Sequence, residues 1–85
     1  MPRARRDTVT YALYNGRKKV YIGSTSDPKR RVQQHLEEGK RFTRVEVTSY
    51  RMTEDSAKRR EGEQLASYKR NHSGKKPRYN KTDHG

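Results

Sequence analysis

Leu, Ile, Val and Phe together supply only ten side chains to 85 residues. A chain so poor in large apolar groups can build one small core at most. With a formal net charge of +12, such a composition ordinarily leaves a chain unfolded. Placement argues the other way. The few apolar residues fall in short periodic segments separated by turn signals, which a random basic tail would not show.

The segments can be read in order. Residues 1–7 form a basic arm with Arg3, Arg5 and Arg6, expected to be solvated. From Thr8 to Tyr14 residues alternate, with Val9, Tyr11 and Leu13 on one face, as in a strand. Asn15-Gly16 marks a hairpin turn, and Lys18 to Gly23 returns as a second strand with Val20 and Ile22 facing away from Tyr21. Two registers are open. A two-residue Asn15-Gly16 loop pairs Tyr14 with Arg17 and puts Tyr11 and Tyr21 on opposite faces. A three-residue loop with Gly16 left-handed pairs Leu13 with Arg17 and puts both tyrosines on one face, since a one-residue slip inverts facing.

Asp27 and Pro28 signal a helix start, and Gly39 a stop after about Glu38. Val32 and Leu36 form the narrow apolar stripe of this first helix, while Arg31 and His35 lie one turn apart on one face. A third strand is expected over residues 41–50, with Val45 and Val47 facing one way. Thr53 or Asp55 caps a second helix running to about Arg70. Ala57, Glu61, Leu65 and Tyr68 share its inward face. Glu61 is thus a carboxylate within an apolar stripe, and Glu63 lies about 200° around the axis from it. Gly62 weakens this helix by about 1 kcal/mol, which asks for a close approach by another group. Pro77-Arg78-Tyr79-Asn80 reads as a short ordered segment returning to the domain. Tyr50 and Tyr68 read as core-edge aromatics. The fold class is therefore α+β, a small three-stranded antiparallel sheet flanked by helices. The expected divisions are the arm at 1–7, one domain at 8–82 and a fraying tail at 83–85.

The charge points to a polyanionic partner, nucleic acid first. A membrane surface is the weaker reading, because no basic helix with a large apolar face is present. No apolar run reaches the length of a signal peptide or a membrane span, so a cytoplasmic or nucleic-acid-associated protein is expected. The lack of Cys removes disulfides and thiolate metal sites. The three histidines, His35, His72 and His84, have no metal-ligand spacing, and no phosphate-binding glycine loop is present.

Val9-Thr10-Tyr11 followed by Tyr21-Ile22-Gly23 resembles the paired motif of the GIY-YIG nuclease family. The resemblance continues through Ser24-Thr25, Asp27, Lys29-Arg30-Arg31 and His35. It resumes at Ala57-Lys58-Arg59-Arg60-Glu61 with Leu65 and Tyr68, and closes with Pro77-Arg78-Tyr79-Asn80. Val9 and Thr10 stand where the family usually has Gly and Ile. The resemblance implies a single-domain endonuclease that hydrolyses phosphodiester bonds, DNA before RNA, with one divalent metal, Mg²⁺ or Mn²⁺ in its place. It implies that Tyr11 and Tyr21 lie beside the attacked phosphate, that Arg31 stabilises it, that His35 assists or tunes Tyr11, and that Glu61 holds the metal. Either a tyrosine or a metal-bound hydroxide activates water. Lys29, Arg30, Gly23, Ser24 and Asn80 are the implied nucleic-acid contacts. No small-molecule cofactor and no membrane are implied, and a monomer is expected.

These roles suit the chemistry. Arg carries a permanent planar donor fork for the charge that builds on phosphate oxygens. One carboxylate with waters and phosphate suits Mg²⁺. Two other readings stand beside the nuclease: a non-catalytic nucleic-acid-binding module on the same fold, and a basic assembly protein ordered only on RNA.

Overall fold

The structure is a computed structural model that describes residues 6–80. The expected arm falls almost wholly, and the tail wholly, outside the described residues. Strand β1 spans Val9–Asn15 and β2 spans Lys18–Thr25. Helix α1 spans Pro28–Glu37, strand β3 Arg44–Val47 and helix α2 Glu54–Asn71. The sheet is antiparallel in the order β2-β1-β3. The fold is thus the expected α+β arrangement.

The hairpin follows neither expected register. Gly16 and Arg17 form the loop, closed by the Asn15–Lys18 pair. Gly16 has φ +64°, at the first loop position, where primed hairpin turns favour glycine. Near the turn Tyr14 pairs with Lys19. Beyond an irregularity after Leu13, Leu13 pairs with Tyr21 and Tyr11 with Gly23. Val20 is the extra residue, a β-bulge that shifts the register by one. Without it Tyr11 would oppose Ile22, and the two tyrosines would lie on opposite faces. The bulge does what the three-residue loop was expected to do. It also corrects Val20, which packs with Tyr11, Leu13 and Tyr21 instead of facing away from Tyr21.

Helix α1 begins where Asp27 accepts a hydrogen bond from the Arg30 amide at 3.2 Å. It ends in a Schellman arrangement: Gly39 at φ +83° donates to Leu36 O, and Lys40 to His35 O. Its inward face differs from expectation. Leu36 is 51% exposed, while His35, 100° away around the axis, is 1% exposed. The buried tyrosine hydroxyl beneath needs a polar partner more than the helix needs one aliphatic contact.

The third strand is shorter than its pattern. Its ends hand over to side chains: Ser49 Oγ accepts from the Thr10 amide at 3.0 Å, and Thr43 Oγ1 accepts from the Gly16 amide at 2.9 Å. Thr8 and Met52 form a separate bridge. Tyr50 is 84% exposed rather than at the core edge.

Helix α2 starts at its Thr53 cap, with Glu54 and Asp55 in the first turn and Lys69 and Arg70 in the last, which suits the helix dipole. It packs across β2 and β1, burying Ala57, Glu61 and Leu65. Gln64 Nε2 donates to Thr10 Oγ1 at 3.3 Å and to Thr48 Oγ1 at 3.1 Å. Thr10 points away from Tyr11, so Gln64 of α2 meets the face opposite the tyrosine rings. Gly62 is exposed, and a methyl group there would meet nothing within 4 Å. The close approach expected for it is absent.

The return segment covers the open edge of β2. Tyr79 N donates to Val20 O at 2.8 Å. The Asn80 side chain accepts from Ile22 N at 2.8 Å and donates to Ile22 O at 2.9 Å. An edge that would otherwise recruit another strand is thereby occupied.

Candidate active site

The bulge and α1 converge on one cluster. Tyr11 Oη and His35 Nε2 are 2.7 Å apart. The Tyr21 and His35 ring centroids are 4.5 Å apart, and the Tyr11 and Tyr21 centroids 5.9 Å. All three rings are buried, Tyr11 completely. Arg31 is half-buried beside both phenols, and its Nη1 donates to Gln34 Oε1 at 3.0 Å. Gly23 lets the rings close over the strand. A Cβ there would lie 2.6 Å from Tyr21 Cε1 and 2.9 Å from Tyr11 Oη.

The electrostatics fix the protons. Burial, and then the neighbouring Tyr21, push the Tyr11 phenol well above its ordinary value, although the Arg31 hydrogen bond and charge pull it down. Burial, and then the Lys40 and Arg31 cations, push the His35 imidazole down to about 4, with Glu38 opposing. Both groups are therefore neutral at pH 7. Burial works against the Arg31 charge, but Tyr21 and Tyr11 outweigh it and hold Arg31 above its ordinary value. Arg31 has only donors to offer, so the Tyr11 oxygen accepts from it. Tyr11 Oη and His35 Nε2 share one proton across their 2.7 Å contact, and the other ring nitrogen is Nδ1. That nitrogen is buried without a hydrogen bond, and Glu38 Oε1 lies 3.9 Å from it.

Two residues at this site escaped the sequence reading. Glu38 Oε2 is 3.4 Å from Lys40 Nζ, and Lys40 sits 5.8 Å from the centre of the Tyr21 ring. Lys40 follows the helix stop at Gly39, so no periodicity marks it.

The remaining sequence candidates are dispersed. Lys29 and Arg30 are exposed on the first turn of α1 and Ser24 is half-buried. Gly23 and Asn80 are buried, Gly23 beneath the tyrosine rings and Asn80 bonded to the Ile22 backbone. Glu61 is 7% exposed, on the buried stripe of α2 with Ala57 and Leu65. Glu63 is exposed, on the side expected.

A model of the GIY-YIG catalytic domain matches residues 8–82. The chain belongs to the GIY-YIG family. A GIY-YIG catalytic domain is a nuclease domain, which makes nucleic acid the substrate class at the level of the family. Neither the curated proteins nor the solved structures hold a match to the chain. No helix among the described residues is long and apolar enough to cross a membrane.

The family's Gly and Ile positions carry Val9 and Thr10 here. Thr10 is engaged with Thr48 at 2.8 Å on the α2 face. Thr10 therefore faces away from the tyrosine cluster, while Val9 shares the face of Tyr11.

A divalent metal can be tested against the donors present. Among the described residues no group of three or more His, Cys, Asp and Glu converges, so no all-protein cage exists there. Glu61 offers a buried hard-oxygen donor. A single carboxylate of this kind fits Mg²⁺, which keeps most of its waters and takes phosphate oxygens as further ligands.

Proposed function

We propose that this GIY-YIG domain is a metal-dependent endonuclease that hydrolyses phosphodiester bonds, with DNA the favoured substrate. The observation that carries the reading is the 2.7 Å contact between Tyr11 Oη and His35 Nε2 beside Arg31. It supplies a proton path and a fixed positive charge in one place.

Arg31, the half-buried member, meets the scissile phosphate and neutralises the charge that grows on its non-bridging oxygens. Tyr11 takes a proton from the attacking water as its own proton passes to His35 Nε2. The water oxygen bonds to phosphorus, and the leaving oxygen departs with its electron pair. The cost of protonating His35 falls when an anionic phosphate sits nearby, because an opposite charge favours the imidazolium. Tyr21 packs against both rings and holds their geometry. Exposed Lys29 and Arg30 lie two residues and one residue before Arg31 and guide the backbone of the substrate. Glu61 would hold the metal, which when bound supplies Lewis-acid neutralisation of phosphate charge.

The test is incubation with a panel of single- and double-stranded DNA and RNA, in Mg²⁺ and in chelator. Cleavage in Mg²⁺ alone supports the reading. Cleavage of nothing on the panel, by a folded chain that still binds nucleic acid, favours the non-catalytic module.

A further inference from the structure

A cleft of about 850 Å³ opens at the hairpin tip, between β1, β2, the end of α2 and the return segment. None of Tyr11, Tyr21, Arg31, His35 or Glu61 lines it. Its cations include Arg17, Lys18, Lys19, Lys75 and Arg78, and it has no Asp or Glu in its lining. A net positive chain spreads cations widely, but a concave surface without a single carboxylate concentrates the potential. Those five residues make no ion pair among the described residues, whereas Lys40, Arg44 and Lys58 do.

The cleft also holds an aromatic platform. The rings of Tyr68 and His72 stack at 3.7 Å with 7° between their planes. His72 Nδ1 is fixed 2.8 Å from Tyr68 O, and His72 is exposed. A flat ring pair beside a row of cations is the pairing of features that single-stranded nucleic acids use.

We propose that this cleft binds the backbone of a single nucleic-acid strand flanking the cleavage point, with one base stacked on His72. The proposal rests on the nuclease reading for the class of its ligand. The volume suits a few nucleotides of one strand. Lys18 lies three to five residues before Tyr21 and Gly23 on β2, roughly 10–17 Å at the rise of an extended strand. The Lys18 edge of the cleft is thus within a few nucleotides' reach of the β2 residues of the tyrosine cluster.

The test is binding of a short fluorescein-labelled oligothymidylate by the full chain in EDTA, read as anisotropy across a salt series. Cleavage plays no part in it, so a failure of the nuclease reading leaves this result interpretable. One variant carries Arg17→Gln, Lys18→Gln and Lys75→Gln. The other removes the same charge from α2 with Lys58→Gln, Arg59→Gln and Arg60→Gln. All six side chains are exposed, and circular dichroism checks that both variants fold. The slope of log Kd against log salt should fall by about 2 in the cleft variant, at ~0.7 for each lost single-strand phosphate contact. The α2 variant should keep the parent slope. Equal changes in the two variants, or none in the cleft variant, overturn the proposal. His72→Ala should weaken oligothymidylate about tenfold and leave inorganic polyphosphate binding unchanged. An unchanged oligothymidylate affinity overturns the assignment to a nucleic-acid strand.

Discussion

Replacing Gly23 with Ala tests whether the tyrosine cluster is as tightly built as its geometry states. The new Cβ would sit 2.6 Å from Tyr21 Cε1, 2.9 Å from Tyr11 Oη and 3.0 Å from Tyr11 Cζ, where ordinary contact begins at 3.4 Å. Relief needs about 0.8 Å at Tyr21 (3.4 − 2.6) and about 0.5 Å at Tyr11 (3.4 − 2.9). Neither ring has room to yield, since Tyr11 is 0% and Tyr21 4% exposed and Tyr11 is tied to His35. Overpacking of this kind costs about 1–3 kcal/mol. For a domain of this size each kcal/mol lowers the melting temperature by roughly 4–8 °C. Displacing the phenols by half an ångström or more should also cost about 10- to 100-fold in cleavage rate, because misplacement by ~1 Å costs about 100-fold. Thermal melts and a cleavage time course in Mg²⁺ read both effects. Gly62→Ala is the control. It adds a methyl group into open space on an exposed helix position, and should stabilise by about 0.5–1 kcal/mol. A Gly23→Ala protein that melts and cuts like the parent refutes the packing argument.

Three further outcomes follow from other contacts. Asn80→Ala strips two hydrogen bonds from Ile22 and should cost about 2 kcal/mol or more in urea melts, as each orphaned buried group costs ~1–3 kcal/mol. The His35 imidazole titrates at 6.5 when unfolded and at about 4 in the fold. The unfolded chain thus takes up that proton first as the pH drops, and stability should be full above 6.5 and decline toward 4. In His35→Gln the decline of melting temperature over that window should be shallower, and an unchanged slope would contradict the buried neutral ring. Gly16→Val forces a β-branched residue to φ +64° and should cost about 1–2 kcal/mol by strain alone, since no atom lies within 4 Å of the added Cβ. A melting temperature equal to the parent's would show that the turn relaxes.

The elements were legible where local chemistry decides them. Asp27-Pro28 and Thr53 start their helices, Gly39 ends one, and Ala57, Glu61 and Leu65 share a buried stripe as their spacing requires. What could not be read was decided by pairing at a distance. The Val20 bulge depends on satisfying the turn at Asn15–Lys18 and the face of Tyr21 together, and alternation alone does not say where a slip falls. The rotation of α1 toward His35 depends on a buried hydroxyl on another element, which the Val32–Leu36 stripe does not reveal. The third strand read too long because past Val47 the Thr10 amide bonds Ser49 Oγ in place of a backbone carbonyl. At the site, Arg31 and His35 were legible from their one-turn spacing. Lys40 and Glu38 were not, because one lies past the helix stop and the other at its cap.

The central claim is that the tyrosine cluster and Glu61 are parts of one metal-dependent nuclease site. The most direct measurement is the initial rate of product formation in Mg²⁺ for the parent, Tyr11→Phe, Glu61→Gln and Glu63→Gln, beside a gel-shift titration of each. Tyr11→Phe keeps the ring and removes the hydroxyl 2.7 Å from His35 Nε2, the proposed proton path. Glu61→Gln keeps the shape and removes the carboxylate proposed to hold the metal. Both should lose cleavage by at least about 100-fold, the lower end of what general acid–base groups contribute, while binding persists. Glu63→Gln should cut at nearly the parent rate. Near-parent cleavage by Tyr11→Phe and Glu61→Gln, or a dead Glu63→Gln beside an active Glu61→Gln, would contradict the site.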